Sequence, residues 1–112
     1  LAGYAPEIDG QIVGVVGLGT YAHGEGEVRS LYVLPEFQGR GIGQRLWDHS
    51  ERFFQDRDIR ALNVWTLAQA AAARFYEGQG CEPLGTSLLR LGDHAAPCTH
   101  YRKVLGAGHR HA

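Results

Sequence analysis

The sequence contains no methionine, has two cysteines, and lacks any apolar run that approaches the length of a membrane-spanning helix. Such a helix needs about 20 predominantly apolar residues, so we predict a protein that does not cross a membrane. Residues 1–10 lack a basic start followed by an apolar block, so we find no signal peptide. A chain that begins at Leu1 and has no methionine is expected to be trimmed, processed or a fragment.

The two cysteines, Cys81 and Cys98, are too few and too far apart for a disulfide framework or a metal knuckle. Two reduced thiols in a cytoplasmic protein are the simplest interpretation. The six histidines are scattered along the chain, which argues against a catalytic metal site. His109 and His111 lie in residues 106–112, which we predict to be a disordered tail.

The chain also carries no large excess of positive or negative charge, because eleven Lys and Arg nearly balance twelve Asp and Glu and leave a net charge of -1. A dedicated nucleic-acid-binding protein normally carries a strongly basic face, so we expect no nucleic-acid partner. The hydrophobic fraction of 44% and the charged fraction of 21% are typical of a folded globular chain. We therefore predict one domain over residues 1–105, without an internal repeat.

The spacing of apolar residues switches between the strand period and the helix period along the chain. Strands are predicted over residues 1–8, 11–18, 27–34, 61–67, 83–91 and 99–105. Helices are predicted from about residue 41 to 55 and over residues 68–79, and a loop containing Pro97 separates the last two strands. The order β-β-β-α-β-α-β-β predicts an α/β fold with a mixed sheet.

Two local signals refine the first strands. Asp9-Gly10 between two apolar runs predicts a hairpin, because a type I′ turn needs positive φ at both central residues. Pro6 predicts that the first strand is an edge strand or is bulged. In the third strand, strict alternation places Val28 and Leu31 on opposite faces. The buried face of the first helix is expected to comprise Ile42, Leu46 and Phe53, with Trp47 and Phe54 beside it.

Every second residue from 39 to 43 is a glycine, namely Gly39, Gly41 and Gly43. This segment lies between the third predicted strand and the first predicted helix. Glycines let the backbone turn tightly and approach a ligand closely. The unpaired N–H groups at the start of the helix would then face the loop and form a site for phosphate oxygens. Arg40 and Arg45 would add positive charge. The alternative is a glycine-rich helix entry that binds nothing.

Two other nucleotide-binding motifs fit this loop poorly. The dinucleotide fingerprint needs a third glycine one residue later than Gly43, and Gln44 stands there. The phosphate-binding loop (P-loop) of nucleoside triphosphatases ends in Gly-Lys-Ser/Thr, and this ending is absent here.

Residues 31–43, LYVLPEFQGRGIG, closely resemble the acetyl-CoA-binding motif V-x-P-x-x-[QR]-G-x-G-[IL]-G of the GNAT superfamily of N-acyltransferases. Every fixed position of that motif is matched. Residues 9–14, DGQIVG, resemble the hairpin between the family's second and third strands. Residues 72–82 resemble the family's helix end A-x-x-x-Y-x-x-x-G-F. Together these similarities span most of residues 1–105.

The resemblance implies the mostly antiparallel, mixed sheet of acyl-CoA N-acyltransferases, with acetyl-CoA as cosubstrate. It places the pyrophosphate on the amides of residues 38–44 and the pantetheine amides against the backbone around Val33. The cofactor-contacting residues that it implies are Leu31, Tyr32, Val33, Gln38, Gly39, Arg40, Gly41, Ile42, Gly43, Gln44, Gln69 and Phe75.

The same resemblance assigns chemical roles. Tyr76 matches the family's tyrosine near the thioester sulfur and is the candidate general acid, with a core tyrosine as the alternative. Glu27 lies where several members place a carboxylate and is the candidate base, with a solvated strand-end charge as the alternative. His23 in the adjacent loop is a third possibility.

The chain departs from the family pattern in three places. Gln69 stands three residues before Ala72, where many members have Asn four residues before the helix alanine. Cys81 replaces the usual Phe and is expected to be a small buried hydrophobe, because nothing nearby in sequence would lower its pKa. No room exists for the strand and two helices that normally precede the hairpin, so they are expected to be trimmed, lost or supplied by a partner. The exposed edge this leaves makes a homodimer an expectation.

The function predicted from the sequence is direct acetyl transfer from acetyl-CoA to a primary amine of a small molecule, a peptide or a protein N-terminus. One alternative is a binding module of the same fold that senses acyl-CoA without turnover. Another is a structural domain that has kept the fold alone. The sequence does not identify the acceptor.

Overall fold

The computed structural model describes residues 2–106. The strands are β1 Ala2–Tyr4, β2 Glu7–Ile8, β3 Gln11–Ile12, β4 Gly14–Thr20, β5 Gly26–Val33, β6 Ala61–Leu67, β7 Glu82–Leu91 and β8 His94–Val104. The helices are α1 Ile42–Gln55 and α2 Ala70–Gly78. From residue 107 on, the predicted tail lies outside the described residues. Neither α1 nor α2, the α-helices of the described part, is long and apolar enough to span a membrane.

The main sheet has six strands in the order β1-β4-β5-β6-β8-β7. Every neighbouring pair is antiparallel except β5 and β6, which are parallel and joined through α1. A parallel pair needs a crossover connection, and the helix supplies it. The predicted mixed, mostly antiparallel sheet is therefore confirmed.

The hairpin predicted at Asp9-Gly10 is confirmed, since both residues have positive φ, 53° and 81°. The two strands around it are not continuous, however. β2 and β3 form a separate two-stranded sheet, set off from β1 and β4. Pro6 has no N–H for a ladder, and its carbonyl accepts from Val13 N at 3.0 Å, which closes the neck of this small hairpin.

Strict alternation in β5 is wrong, because the strand carries a bulge. Gly17 pairs with Ser30 and Leu18 pairs with Val28, so Arg29 is an extra residue on β5. An extra residue shifts the alternation by one position. Val28 and Leu31 therefore pack into the same core instead of facing opposite ways.

Pro97 lies inside β8 and not in a loop, so the predicted break between the last two strands is wrong. A turn at Gly92, with φ 65°, joins β7 to β8. Pro97 O accepts from Ala68 N at 2.9 Å. Because the nitrogen and oxygen of a strand residue point the same way, the missing N–H faces the end of β6 and not β7. The same bond ties Ala68 to β8, and α2 begins at Ala70 and not at residue 68.

The core lies between one face of the main sheet and both helices. Its fully buried large side chains include Trp47, Phe54, Leu46, Leu18 and Leu62. α2 is held beside α1, because Trp47 meets the ring of Tyr76 edge-on at 5.7 Å. Phe53, expected on the buried face, is only partly buried and lies under the guanidinium of Arg57 at 3.6 Å. The remaining buried-face residues of α1 are confirmed.

We predict that Leu46→Ala lowers the free energy of unfolding by about 3 kcal/mol, because the side chain is fully buried and its removal leaves a cavity. Leu88, which is 72% exposed, provides the matched control. Leu88→Ala should stay within about 0.5 kcal/mol of the parent chain. Urea denaturation midpoints measure both, and equal effects of the two substitutions would contradict this account of the core.

Candidate active site

A gap opens in the main sheet where β5 and β6 separate. The two strands pair only over Gly26–Val28 and Leu62–Val64. Beyond these residues they diverge, and a cavity lies between them. We call it the splay opening; its lining residues are Val28, Arg29, Ser30, Leu31, Val64, Trp65, Thr66 and Tyr76.

The edge of β5 presents unpaired backbone groups to the splay opening. Leu34 N donates to Val13 O at 2.9 Å, which makes this pair a hydrogen-bonded one between β4 and β5. Hydrogen-bonded and non-bonded pairs alternate in antiparallel strands. Leu31 and Val33 are therefore non-bonded with β4, and their N–H and C=O groups point into the opening. Polar backbone groups at such an edge need partners, which water or an amide-bearing ligand can provide.

β6 forms the other edge of the opening in the same way. Ala68 N donates to Pro97 O, so Leu67, one residue earlier, is non-bonded with β8. Its backbone groups point toward β5, which has already diverged. The two strand edges together can hold a linear chain that carries amides.

Tyr76 reaches the opening from the helix face of the sheet. Its ring is 7% exposed and lies 5.4 Å from the ring of Tyr101. Burial above all, with smaller contributions from Cys81 and Tyr101, raises the pKa of Tyr76 to about 12. Within residues 2–106 its hydroxyl has no hydrogen-bond partner. The phenol therefore stays protonated at neutral pH and is free to donate to a ligand in the opening.

A second cleft lies at the start of α1. We call it the glycine-loop cleft; its lining residues are Val33, Phe37, Gln38, Gly39, Gly41, Ile42, Gly43, Gln44 and Phe75. Gly39 and Gly41 have φ of 79° and 80°, a left-handed conformation that favours glycine. Gly43 differs, because it lies inside α1 and needs no such conformation.

The first turn of α1 leaves backbone amides free. Arg45 N makes the first helical bond, to Gly41 O at 3.1 Å. The N–H groups of Ile42, Gly43 and Gln44 precede that bond, and no side chain caps them. No acidic residue lies in the first turn, so the positive end of the helix dipole is not neutralised. This arrangement fits the oxygens of a diphosphate.

The side chains around the cleft are held by one another. Gln38 Nε2 donates to Val33 O at 3.1 Å, so the Val33 N–H is the group left for a ligand. Gln44 and Gln79 exchange amide hydrogen bonds of 2.9 and 2.7 Å that join the start of α1 to the end of α2. Only the backbone of Gln44 is therefore available to an anion.

Most of the predicted cofactor residues line one of these two cavities. Phe37 lines the glycine-loop cleft and was not predicted; it stands inside the motif, next to Gln38, which is the signal that could have found it. Tyr32, Arg40 and Gln69 line neither cavity. Tyr32 is 51% exposed, on the face of the sheet away from the helices.

Arg40 and Gln69 are the other two predicted residues that line neither cavity. The guanidinium of Arg40 lies over the ring of Phe37 at 5.0 Å, at the rim of the cleft. Gln69 is the exposed N-cap of α2, and its side chain makes no capping bond.

The structure does not bring Glu27 and Tyr76 to the same face. Glu27 is next to Val28, whose side chain is in the core, so the carboxylate lies on the opposite face. There it pairs with Arg29 at 3.1 Å. His23 is exposed in a short 3₁₀ turn before β5. The candidate acid and the candidate base thus lie on opposite faces of the sheet, and of the two Tyr76 alone lines the splay opening.

Sequence reasoning missed a polar network on the open face of the sheet. Glu25 accepts two bonds from Arg102, at 2.7 and 3.0 Å, and one from Asn63 Nδ2 at 2.8 Å. Asn63 Oδ1 lies 2.7 Å from Nε2 of His100. These four residues form what we call the His100 network. They come from β6, β8 and the loop before β5, so no short sequence motif contains them and a motif search could not identify the network.

The thiol of Cys81 is poorly suited to nucleophilic chemistry. Cys81 is buried as predicted, and burial raises its pKa to about 11, which disfavours the reactive thiolate. Among residues 2–106, no group of three His, Cys, Asp or Glu side chains is placed to hold a metal ion.

The family model and the curated relatives that match this chain are all described as acetyltransferases. The model of the acetyltransferase (GNAT) family matches residues 2–81. An uncharacterized N-acetyltransferase of Archaeoglobus fulgidus is 36% identical over 80 residues, covering 65% of this chain and 54% of that protein. Another from Chlorobaculum tepidum is 31% identical over 64 residues, covering 57% of this chain and 41% of that protein. The chain thus spans about half the length of these curated relatives.

Solved structures share the fold. The ribosomal-protein-alanine N-acetyltransferase of Brucella melitensis superposes with a TM-score of 0.77 at 25% identity, covering 90% of this chain and 67% of that one. A GNAT family acetyltransferase of Elizabethkingia anophelis, solved with acetyl-CoA bound, gives a TM-score of 0.76 at 15% identity, covering 92% and 75%.

We predict that Glu25 stabilises the folded protein at neutral pH and loses this effect in acid. Arg102 above all, and also Asn63, lower the pKa of Glu25 from 4.5 to about 2. Its stabilisation is therefore fully present above pH 4.5 and is lost as the pH falls toward 2. The difference in Tm between the parent chain and Glu25→Gln should be constant from pH 7 to 5 and shrink below that.

Arg102→Gln is the partner control for this measurement, because it should remove most of the same pH-dependent difference. A Tm difference between the parent and Glu25→Gln that is equal at pH 7 and pH 2.5 would contradict the assignment.

Proposed function

Because the chain belongs to the acetyltransferase (GNAT) family, we propose that it transfers the acetyl group of acetyl-CoA to a primary amine. The transfer is direct, without a covalent enzyme intermediate. The acetyl-CoA bound to the Elizabethkingia anophelis relative supports this cosubstrate. The family match supports an amine as the acceptor.

The observation that carries the proposal is that neighbouring residues of the chain line the two cavities. Val33 lines the glycine-loop cleft, while its N–H points into the splay opening. Phe75 lines the cleft and the adjacent Tyr76 lines the opening. A ligand with a diphosphate at one end and an amide-bearing arm at the other fits this path. Coenzyme A has that construction, so its thioester would lie near Tyr76.

The chemistry then requires two proton movements. The neutral amine nitrogen attacks the thioester carbonyl carbon, the carbon–sulfur bond breaks, and the acetyl group forms an amide. Tyr76 donates its hydroxyl proton to the departing thiolate; its raised pKa keeps that proton in place until the sulfur becomes basic. The amine must also lose a proton to a base, for which Glu27 on the open face is the candidate that the sequence names. Holding both substrates in line supplies much of the rate.

The acceptor class is a small-molecule or peptide amine, which approaches from the face of the sheet that the helices leave open. The name of the Brucella melitensis relative refers to a protein acceptor. Cytoplasmic location and a homodimer stay predictions from the sequence. An acyl-CoA-binding module without turnover is the alternative function, and the first test below separates the two.

The first test is Tyr76→Phe. We expect kcat for thiol release from acetyl-CoA to fall at least about 10-fold, because the proton donor is lost, with little change in KM for acetyl-CoA. Tyr4→Phe is the matched control, since Tyr4 stacks on His49 of α1 and lines neither cavity, and it should leave kcat unchanged.

Each outcome of this test has a defined meaning. Unchanged kcat in Tyr76→Phe would remove Tyr76 from the mechanism. Acetyl-CoA binding by the parent chain without thiol release for any amine in a broad panel would favour the binding module and overturn the enzymatic proposal.

The second test follows the backbone amides. Saturating acetyl-CoA should shift the amide NMR signals of Gly39, Gly41 and Gly43, because the diphosphate would lie against the start of α1. Gly92, in the turn between β7 and β8, is the internal control and should not move. Unmoved signals at all three cleft glycines would rule out this binding site.

A further inference from the structure

The orientation of the Asn63 amide is fixed by its neighbours. This side chain is 1% exposed, and its Nδ2 donates to Glu25 Oε1 at 2.8 Å and to Gly26 O at 3.3 Å. A carboxylate oxygen and a carbonyl oxygen can only accept, so the nitrogen must point toward them. The amide oxygen of Asn63 is therefore the atom that faces His100.

This orientation fixes the tautomer of His100. Because Asn63 Oδ1 can only accept, the ring Nε2 that lies 2.7 Å away must carry a proton and donate. In the neutral ring the Nδ1 atom is then unprotonated and basic. Within the described part of the chain, Nδ1 has no hydrogen-bond partner.

His100 is held in its neutral form. Burial above all, and then the charge of Arg102, lower its pKa below 6.5, while the charge of Glu25 opposes them in part. The titratable groups that face the ring are Arg102 from β8, Glu25 from the loop before β5, and Tyr21 from the turn after β4, 5.7 Å away. At pH 7 the lone pair on Nδ1 is therefore available.

The ring lies beside the splay opening. His100 stacks on Trp65 with ring centroids 4.7 Å apart and planes 12° apart, and Trp65 lines the opening. Trp65 is itself fixed, because its Nε1–H donates to Tyr21 Oη at 3.2 Å. Tyr76 reaches the opening from the helix face, whereas His100 lies on the open face. An amine that enters from the open face would meet a basic nitrogen on its own side.

We propose that His100 is the proton acceptor for the amine substrate, with Asn63 and Glu25 as its positioning residues; this rests on the proposed acetyl transfer. A bridging water gives one proton to Nδ1 and takes one from the ammonium, which leaves a neutral amine and an imidazolium. The neutral amine then attacks the thioester carbonyl carbon and the carbon–sulfur bond breaks. Tyr76 gives its hydroxyl proton to the thiolate, and the second proton of the amine nitrogen passes through water to the tyrosinate, which restores the phenol. Glu27 is less suited to this role, because its carboxylate already pairs with Arg29.

The test is His100→Gln, because the glutamine amide can still donate to Asn63 while the basic Nδ1 is lost. We expect kcat/KM for the amine to fall roughly 100-fold at pH 7, with KM for acetyl-CoA unchanged. The parent chain should lose kcat/KM as the pH falls through the lowered pKa of His100, and the variant should lack that fall.

Two control variants separate the possibilities. Glu27→Gln should keep the low-pH fall if His100 is the acceptor; a fall that disappears in Glu27→Gln and persists in His100→Gln overturns the proposal. His49→Gln removes a histidine of α1 that stacks on Tyr4, and should leave the pH profile unchanged.

A readout without turnover keeps the proposal separate from the proposed function. Nitrogen NMR of the imidazole in the free protein should show a protonated Nε2 and an unprotonated Nδ1 at pH 7, and the opposite tautomer overturns the proposal. A parent chain that turns over no amine contradicts the acetyl transfer. A parent chain that turns over amines with a profile equal to that of His100→Gln overturns the role of His100 alone.

Discussion

The site depends on the parallel pairing of β5 with β6 ending after three residues. β5 pairs with β6 over Gly26–Val28, and the bulge at Arg29 follows at once. A bulge bends its strand and increases the local twist, so β5 turns away from β6 where a longer ladder would otherwise form. The separation leaves backbone groups of both strands without a strand partner, and those groups form the walls of the splay opening. A continuous sheet would have satisfied them and left no place for a ligand.

The parts that sequence predicted are those fixed by local backbone chemistry. The turn at Asp9-Gly10 needs two positive φ angles, and the glycine loop needs them at Gly39 and Gly41. Each requirement is met by residues next to one another in the chain, so a short pattern is enough to identify it. The helical spacing of Leu46 and its neighbours is likewise local, and it places α1 on the core as expected.

The parts that sequence did not predict depend on which residues of distant strands lie opposite one another. Val28 and Leu31 share a face because of how β5 pairs with β4, and Pro97 is tolerated in β8 because β6 ends beside it. Arg102 and Glu25 are 77 residues apart in the chain, and only the sheet order brings them together. The periodicity of one strand does not show how that strand aligns with its neighbours. A shift of one residue in this alignment would move every side chain of the strand to the other face of the sheet.

The buried amide of Asn63 in the His100 network is better explained by positioning than by stability. A buried hydrogen-bonded amide contributes little net free energy compared with an apolar group of the same shape, because its bonds replace those it made to water. Asn63 nevertheless uses its nitrogen on two acceptors and its oxygen on His100, which restricts the imidazole to one tautomer. In the proposed mechanism Tyr76 on the helix face donates a proton and His100 on the open face accepts one; Tyr76 lines the splay opening, and His100 stacks on Trp65, which also lines it. Acetyl transfer to an amine needs a proton removed from one reactant and delivered to the other, and the two faces of the sheet separate those tasks.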